Sequence, residues 1–456
     1  MSKMDKLFSK LKEIVGEANV IQDLDQLKGY TIDGKKPRFI VFPGKIEEVS
    51  RVVALANQQH LHIIPRGNGT KMEMGGIPKK MDILLSTRRL NRITDNDCEN
   101  LTLSAECGIT LNEVQKSLAK IGKGYFLPLD PPFTEKATLG GIIATNSSGP
   151  KRLLYGTARD LIIGTKSVFP NGDIVVSGGK TVKNVSGYDM CKLLIGSHGT
   201  LGVLCEMTFK LLPLPEKEAT LMLSFAKLED ANGFAHQVRS SQLIPSAMEI
   251  LNAKAIQHMR YSMTIHSDLN YMVAVALEGV TESIDRQIAE MKEMGKKYGV
   301  FDAMSLDSGK HLAFWNALRD FSLGLAEHYP NVVSLKSNFL ISRCGEILRS
   351  YETITEESGT DCAYICHAGN GILYTYLLTG KSLKSKLDTI VELIGRLTTE
   401  AVKNEGNLVV ESSPLSIKKK VDVWGQSRSD HLVVRRLKEQ IDPAGIFNVG
   451  RFVGGI

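Results

Sequence analysis

Nineteen of the chain's 41 glycines fall between Gly67 and Gly202, in under a third of its 456 residues. Glycine is concentrated where a backbone must turn through left-handed angles or come close to another group. Two clusters fit that use. Pro65, Arg66, Gly67, Asn68, Gly69 and Thr70 follow a predicted strand at 62–64. The glycines let consecutive amides converge on an anion as a nest, and Arg66 adds a cation. A plain β-turn is the alternative. The second cluster, 137–149, pairs Gly140 and Gly141 with the small residues Ala144, Ser147 and Ser148 and with the donors Thr138, Thr145 and Asn146. Small and hydrogen-bonding residues together suit a planar polar ring or phosphates held against backbone. A third glycine-rich stretch, 196–203, precedes a predicted strand.

Two familiar nucleotide motifs fail. Residues 176–181 end like a Walker A loop, Gly178-Gly179-Lys180-Thr181, but Ile174 stands where that motif needs its first glycine. The flanks also read as a hairpin, not strand–loop–helix. No G-x-G-x-x-G follows a strand and opens a helix, so a Rossmann dinucleotide site is unsupported.

At 43% hydrophobic and 23% charged residues the chain is an ordinary globular one, and its length allows two to four domains. The formal charge of +6 is spread along the chain. It suits solubility and mild attraction to anionic ligands, and we expect no nucleic-acid partner. Residues 1–20 have an amphipathic helical pattern without an apolar h-region or cleavage site, unlike a secretory signal. No apolar run reaches the ~18 residues of a membrane span. The seven cysteines form no C-x-x-C, which argues against a disulfide framework or zinc ribbon. Cys362 and Cys366 lack a matching second pair, so an iron–sulfur cluster on this chain is not expected.

The pattern predicts a strand at 38–42, a Pro43-Gly44 break and a helix to 56. Strands follow at 62–64, 82–85 and 101–104, then a helix at 111–121. Residues 162–177 read as a β-hairpin turning at Pro170-Asn171-Gly172. A strand at 201–212 precedes Pro213 and Pro215, the best boundary in the chain. Beyond it strands at 219–225, 247–250 and 271–278 mix with helices at 228–240, 284–298, 384–404 and 432–440.

Taken together, these elements resemble the flavin-binding domain of the vanillyl-alcohol oxidase and p-cresol methylhydroxylase superfamily. The branch holding glycolate oxidase flavin subunits and D-lactate dehydrogenases is the most similar. The resemblance is strongest over 34–216. It implies that the P-R-G-x-G-T turn, Pro65 to Thr70, cradles the FAD pyrophosphate. The family's other flavin segments match Pro128, Asp130 and Pro131, then residues 140–149 ending at Gly149. They also match Gly156 and Asp160 in 155–160, and residues 187–203 ending at Gly202 and Val203. The C-terminal D-P-x-x-I-F-N-P-G-(K/R) appears at 442–451 with Asn448, and with Val449 where proline is usual. The family's covalent flavin histidine sits where this chain has Thr70, which implies noncovalent FAD.

The resemblance also implies a site for oxidising an alcohol carbon. Arg319, in a W-x-x-x-R stretch beginning at Trp315, matches an arginine that binds the substrate carboxylate, and Lys336 lies where some relatives place a second cation. A solvated surface charge is the alternative for each. His367 opens a segment that in D-2-hydroxy-acid dehydrogenases carries further histidines for a divalent metal. Here Tyr374 stands at the second histidine position, Tyr376 at the following asparagine position, and Ser412 where a later motif has its histidine. His367 and Glu411 alone are too few ligands, so no catalytic metal is expected. His367 is then either a base or a structural histidine.

The expected fold is α+β, with a two-subdomain p-cresol methylhydroxylase-type FAD-binding domain at 1–216 (core 34–216). An α+β cap with an antiparallel sheet would span 217–430, and a segment at 431–456 would return to the first domain. The expected activity is oxidation of a small 2-hydroxy acid, glycolate or D-lactate in type, by hydride transfer to FAD. A separate iron–sulfur subunit would accept the electrons, with a second flavin subunit as a further candidate partner. The rival is a non-catalytic flavin or assembly subunit of such a complex. A cytoplasmic location is expected, with membrane contact through a partner or weakly through the amphipathic N-terminus.

Overall fold

The computed structural model describes residues 3–179, 188–261, 269–380, 383–426 and 429–456. Lys180 and Thr181 of the rejected loop, and Gly187 at the head of the 187–203 segment, lie outside the described residues.

Contacts divide the chain into two units. One is Met1–Ser148, Gly156–Leu214 and Ser427–Ile456; the other is Gly149–Tyr155 with Pro215–Gln426. The expected boundaries at 216 and 430 did not foresee the excursion Gly149–Tyr155. Its reason is electrostatic. Lys151 Nζ lies 2.8 Å from Glu278 and 2.9 Å from Glu218, and the Tyr155 hydroxyl donates to Glu278. Glu278 is a buried carboxylate, its side chain 1% exposed, and such a charge needs a partner.

The first unit has a four-stranded sheet of β1 (Val20–Ile21), β2 (Phe39–Val41), β3 (Ile63–Arg66) and β4 (Ile83–Ser86), in the order β1-β2-β4-β3. β2 and β3 run parallel to β4. Their near-continuous apolar runs are those of strands covered on both faces. The helix Ile46–Gln58 packs Val49, Val52, Val53 and Ala56 into the same core. A five-stranded antiparallel sheet joins β5 (Ile93–Asp97), β6 (Thr102–Glu106), β8 (Ile162–Val168), β9 (Ile174–Gly178) and β10 (Val203–Lys210), while β7 (Tyr125–Phe126) pairs with β11 (Leu212–Pro213). The hairpin at 162–177 is β8 and β9, turning at Gly172 with φ +91°.

The C-terminal residues close on this unit through a buried ion pair. Lys438, in the helix His431–Ile441, pairs with Asp442 and donates to the carbonyls of Thr200 and Phe447. Asp442 accepts from the amides of Ile446 and Phe447. Ile63 then bonds to Ile446 O at 2.7 Å and receives the Asn448 amide at 2.9 Å. Asn448 is thereby set beside the end of β3.

The second unit is one antiparallel sheet of eight strands: β12 (Lys217–Phe225), β13 (Ala247–Asn252), β14 (Tyr271–Gly279), β15 (Asp302–Asp307), β16 (Val333–Asn338), β17 (Cys362–His367), β18 (Ile372–Leu377) and β19 (Asn407–Ser412). Their order is β15-β12-β14-β13-β17-β18-β16-β19. Alternate residues serve opposite faces. One face packs Leu221, Val273, Ile250, Cys366 and Leu335 against the helices Leu228–Arg239, Cys344–Glu357 and Leu383–Lys403. The other carries Ala247, Leu251, Ile365 and Tyr376 beneath the helices Ala253–His258, Ser308–Arg319 and Phe321–His328. By register Glu249, Lys336, His367 and Tyr374 lie on this second face.

Candidate functional site

The first unit contains a cleft of about 880 Å³. It is lined by Pro65, Arg66, Gly67, Gly69 and Thr70 from the turn after β3. Thr138, Gly140, Gly141, Ala144 and Thr145 line it from the second glycine cluster, with Gly202, Val203 and Asn448 from later chain. Its glycines are sterically required. A Cβ on Gly67 would fall on the Thr138 hydroxyl, and one on Gly140 would stand 2.9 Å from the Cys107 Cβ. Gly69 has φ +81°. The Thr138 hydroxyl accepts from the Gly141 amide at 3.3 Å and caps the short helix Leu139–Ala144.

The walls fit a large anionic cofactor. Arg66, Lys71, His198 and Arg451 line the cleft, and among the described residues no carboxylate does. Burial lowers the Arg66 pKa, and its guanidinium stacks 4.6 Å from the Tyr30 ring. Burial likewise pushes Arg451 down to about 10, and Arg451 donates to Met72 O and Met74 O, fixing the chain after the turn. Ser147 Oγ and Asn448 Oδ1 are buried with no protein partner at the same cleft. A ligand rich in donors and acceptors would satisfy them.

Eight expected cofactor residues do not line the cleft. Asn68 ties the turn to Lys136 O at 2.8 Å. Pro131 O accepts from the Thr134 hydroxyl, and neither Pro128 nor Asp130 reaches the wall. Asn146 takes φ +45° behind it. Gly149 groups with the second unit. Asp160 builds a capping box with Thr157 for the helix Ala158–Leu161, accepting from the Thr157 amide at 2.8 Å, and Gly156 precedes it with φ +74°. That T-x-x-D spacing was itself a readable cap signal. Conversely, Lys71, Thr87, His198 and Arg451 line the cleft without having been singled out.

In the second unit His367 ends β17 and is buried. Its Nδ1 lies 2.5 Å from Glu249 Oε1, directly across the β13–β17 register. Glu249 is fully buried; burial pushes its carboxyl pKa up, and the contact with His367 opposes that rise. The Tyr374 ring stands edge-on 5.2 Å from His367. Lys336, opposite Tyr374 on β16, holds its Nζ 5.5 Å from that ring and 3.7 Å from Glu411. Glu249, His367, Tyr374 and Lys336 thus form one row of contacts across four strands. Arg319 ends the helix Ser308–Arg319, 3.6 Å from Asp320, with its Nε buried and lacking a hydrogen-bond partner. Phe321, two residues on, packs 4.9 Å from Tyr376, so this helix end lies over the same face. The sequence did not single out Glu249; its signal was a lone charge inside an apolar strand.

Among the described residues no three His, Cys, Asp or Glu side chains group as a metal site. All seven cysteines are buried and free, and the Cys344 and Cys366 sulfurs lie 3.2 Å apart. No helix among the described residues is long and apolar enough to cross a membrane.

Residues 37–178 match the FAD binding domain family, and residues 214–452, over half the chain, match the FAD linked oxidases, C-terminal domain. The glycolate oxidase subunit GlcD of Bacillus subtilis is 27% identical, covering 91% of this chain and 88% of its own. A D-lactate dehydrogenase of Archaeoglobus fulgidus is 27% identical over 99% of both chains. Among solved structures, substrate-bound p-cresol methylhydroxylase shares the fold with a TM-score of 0.78 at 17% identity, covering 98% and 96% of the two chains. The chain belongs to the FAD-linked oxidases, and FAD is the cofactor its glycine cradle fits.

Proposed function

We propose that this chain oxidises a small 2-hydroxy acid, of the glycolate or D-lactate kind, to the 2-oxo acid. The observation that carries this reading is the juxtaposition of a buried histidine and a cation on one sheet face. His367 and Lys336 touch opposite sides of Tyr374, and Arg319 ends a helix over the same face. The relatives named for glycolate and D-lactate point to the same substrate class. Lys336 and Arg319 hold the carboxylate, and His367 takes the hydroxyl proton through Nε2, the nitrogen not facing Glu249. FAD, when bound in the first unit, supplies the two-electron acceptor such an oxidation needs. Held noncovalently, as Thr70 implies, it is released into solution by acid denaturation.

Electrons must then leave. The cysteines offer no ligand set for a cluster, so a separate iron–sulfur subunit is the proposed acceptor, in a cytoplasmic complex. One of the relatives is itself named as a subunit.

Rapid anaerobic mixing of the flavin-loaded chain with glycolate or D-lactate tests this. Flavin bleaching is expected, slowed roughly 10²–10⁴-fold in His367→Ala. Lys336→Ala and Arg319→Ala should raise the substrate concentration needed for half-maximal rate. A chain that keeps its flavin yet bleaches with no 2-hydroxy acid would instead be the non-catalytic subunit, a reading that Tyr374 and Ser412 at the relatives' ligand positions favour.

A further inference from the structure

We propose that Glu249 is the positioning residue for His367: it holds the proton on Nδ1, leaves Nε2 as the proton acceptor, and balances the charge formed when Nε2 takes the substrate's proton. This deepens the reading of His367 as base and rests on it.

The position is a poor one for a carboxylate. Its neighbours on the same face of the sheet are Ala247 and Leu251 on its own strand and Ala274 across β14. Any of those side chains would suit the face, yet a fully buried glutamate stands there. Among the described residues its Oε2 has no hydrogen-bond partner, and its Oε1 meets His367 Nδ1 at 2.5 Å. A buried carboxylate left in this state is costly unless its one contact repays it. The contact is also geometrically fixed. Glu249 and His367 face each other in the antiparallel register, and the Tyr374 ring closes on the imidazole edge-on. The ring is thus held against rotation, with Nε2 on the edge away from the carboxylate.

The chemistry then has two alternatives. An ionised Glu249 can only accept, so Nδ1 carries hydrogen and Nε2 keeps its lone pair. A neutral Glu249 would donate to Nδ1, forcing the hydrogen onto Nε2 and leaving nothing there to take a proton. Only the first arrangement makes a base. As the substrate hydroxyl gives its proton to Nε2, the ring becomes an imidazolium with hydrogen on both nitrogens. The carboxylate 2.5 Å away stays ionised beside it.

The test is nitrogen NMR of the holoprotein labelled with ¹⁵N-histidine, with His367 assigned by comparison with His367→Gln. Without substrate, hydrogen on Nδ1 and a bare Nε2 are expected. In Glu249→Leu the tautomer should shift towards hydrogen on Nε2, which free histidine side chains prefer. Its flavin bleaching by D-lactate or glycolate should slow by roughly 10²–10⁴-fold with half-saturation nearly unchanged. Glu249→Gln keeps the volume and one acceptor oxygen and removes the charge, so its rate should fall between the two. Far-UV circular dichroism and flavin content show whether either variant is folded and loaded, and Glu249→Gln carries the test where Glu249→Leu fails to fold. Hydrogen on Nε2 in the unaltered protein overturns the proposal. So does a variant whose tautomer and bleaching rate match the unaltered protein. Because the tautomer is read without substrate, a chain that bleaches with no 2-hydroxy acid sinks the oxidation reading while leaving the state of the Glu249–His367 pair separately decided.

Discussion

The cleft of the first unit and the sheet face of the second solve opposite problems. The cleft is built by removing side chains. At Gly67 and Gly140 a single Cβ would strike Thr138 or Cys107, and the remaining walls mix short hydroxyl side chains and apolar ones such as Ile142 and Leu204 with Arg66, Lys71 and Arg451. The face is built by burying charged side chains. Glu249 and His367 meet there, and Lys151, Glu218, Glu278 and His311 form a second charged group drawn from the 149–155 excursion, β12, β14 and the helix Ser308–Arg319. Backbone cradles bind a large, constant ligand by shape and amide direction. Buried charges set protonation and orientation, which a reacting hydroxyl requires.

If that contrast holds, a charge deletion should damage the second unit's stability, and an added methyl should damage the first unit's cofactor affinity. The largest effect is expected for Lys151→Met. It leaves the buried Glu278 and its neighbour Glu218 without their cation, which should cost about 3–5 kcal/mol in urea unfolding. This difference should depend on pH with a definite sign. Burial raises the Glu218 carboxyl pKa, but Lys151 and His311 outweigh that and hold it below the usual range. The stability from its ionised form is present at neutral pH and is lost as pH falls through the lowered value. The gap between unaltered protein and Lys151→Met should therefore hold at neutral pH and narrow as pH falls below about 4, through that lowered value. A gap independent of pH would break the electrostatic half of the comparison.

Next in size is Gly67→Val. Forcing a side chain onto Thr138 should cost about 1–3 kcal/mol. That is roughly a fivefold to 150-fold loss of FAD affinity, read by fluorescence titration of the apoprotein. Unfolding of the second unit should be unchanged. Smallest is Thr138→Ala, which removes the cap on Leu139–Ala144 and should cost about 1 kcal/mol in flavin affinity or stability. Full flavin affinity in Gly67→Val would show that the ligand does not depend on close backbone approach there.

The same contrast explains what the sequence made legible. The cradle is local. Residues 65–70 and 138–145 each lie within one short stretch, so glycine spacing exposes them directly. The hairpin of β8 and β9 is local too, and Pro170-Asn171-Gly172 marked its turn. The charged face of the second unit is not local. Glu249 and His367 are 118 positions apart and meet only through the register of β13 with β17. No spacing rule connects them, although a glutamate in the apolar stretch 247–251 was a local anomaly. Lys151 is similar, because its partners Glu218 and Glu278 come from β12 and β14. At Gly156 and Asp160 a motif with a flavin association coincides with a local cap signal, the Asp160 side chain serving the Thr157 cap.

The account stands on one flavin-loaded chain acting as its own catalyst. The direct measurement is the absorption spectrum of that chain, mixed alone and without oxygen with glycolate or D-lactate. Loss of the oxidised-flavin bands, much slower in His367→Ala, is predicted. Flavin bands unchanged by every 2-hydroxy acid, in a chain that retains its FAD, would contradict it.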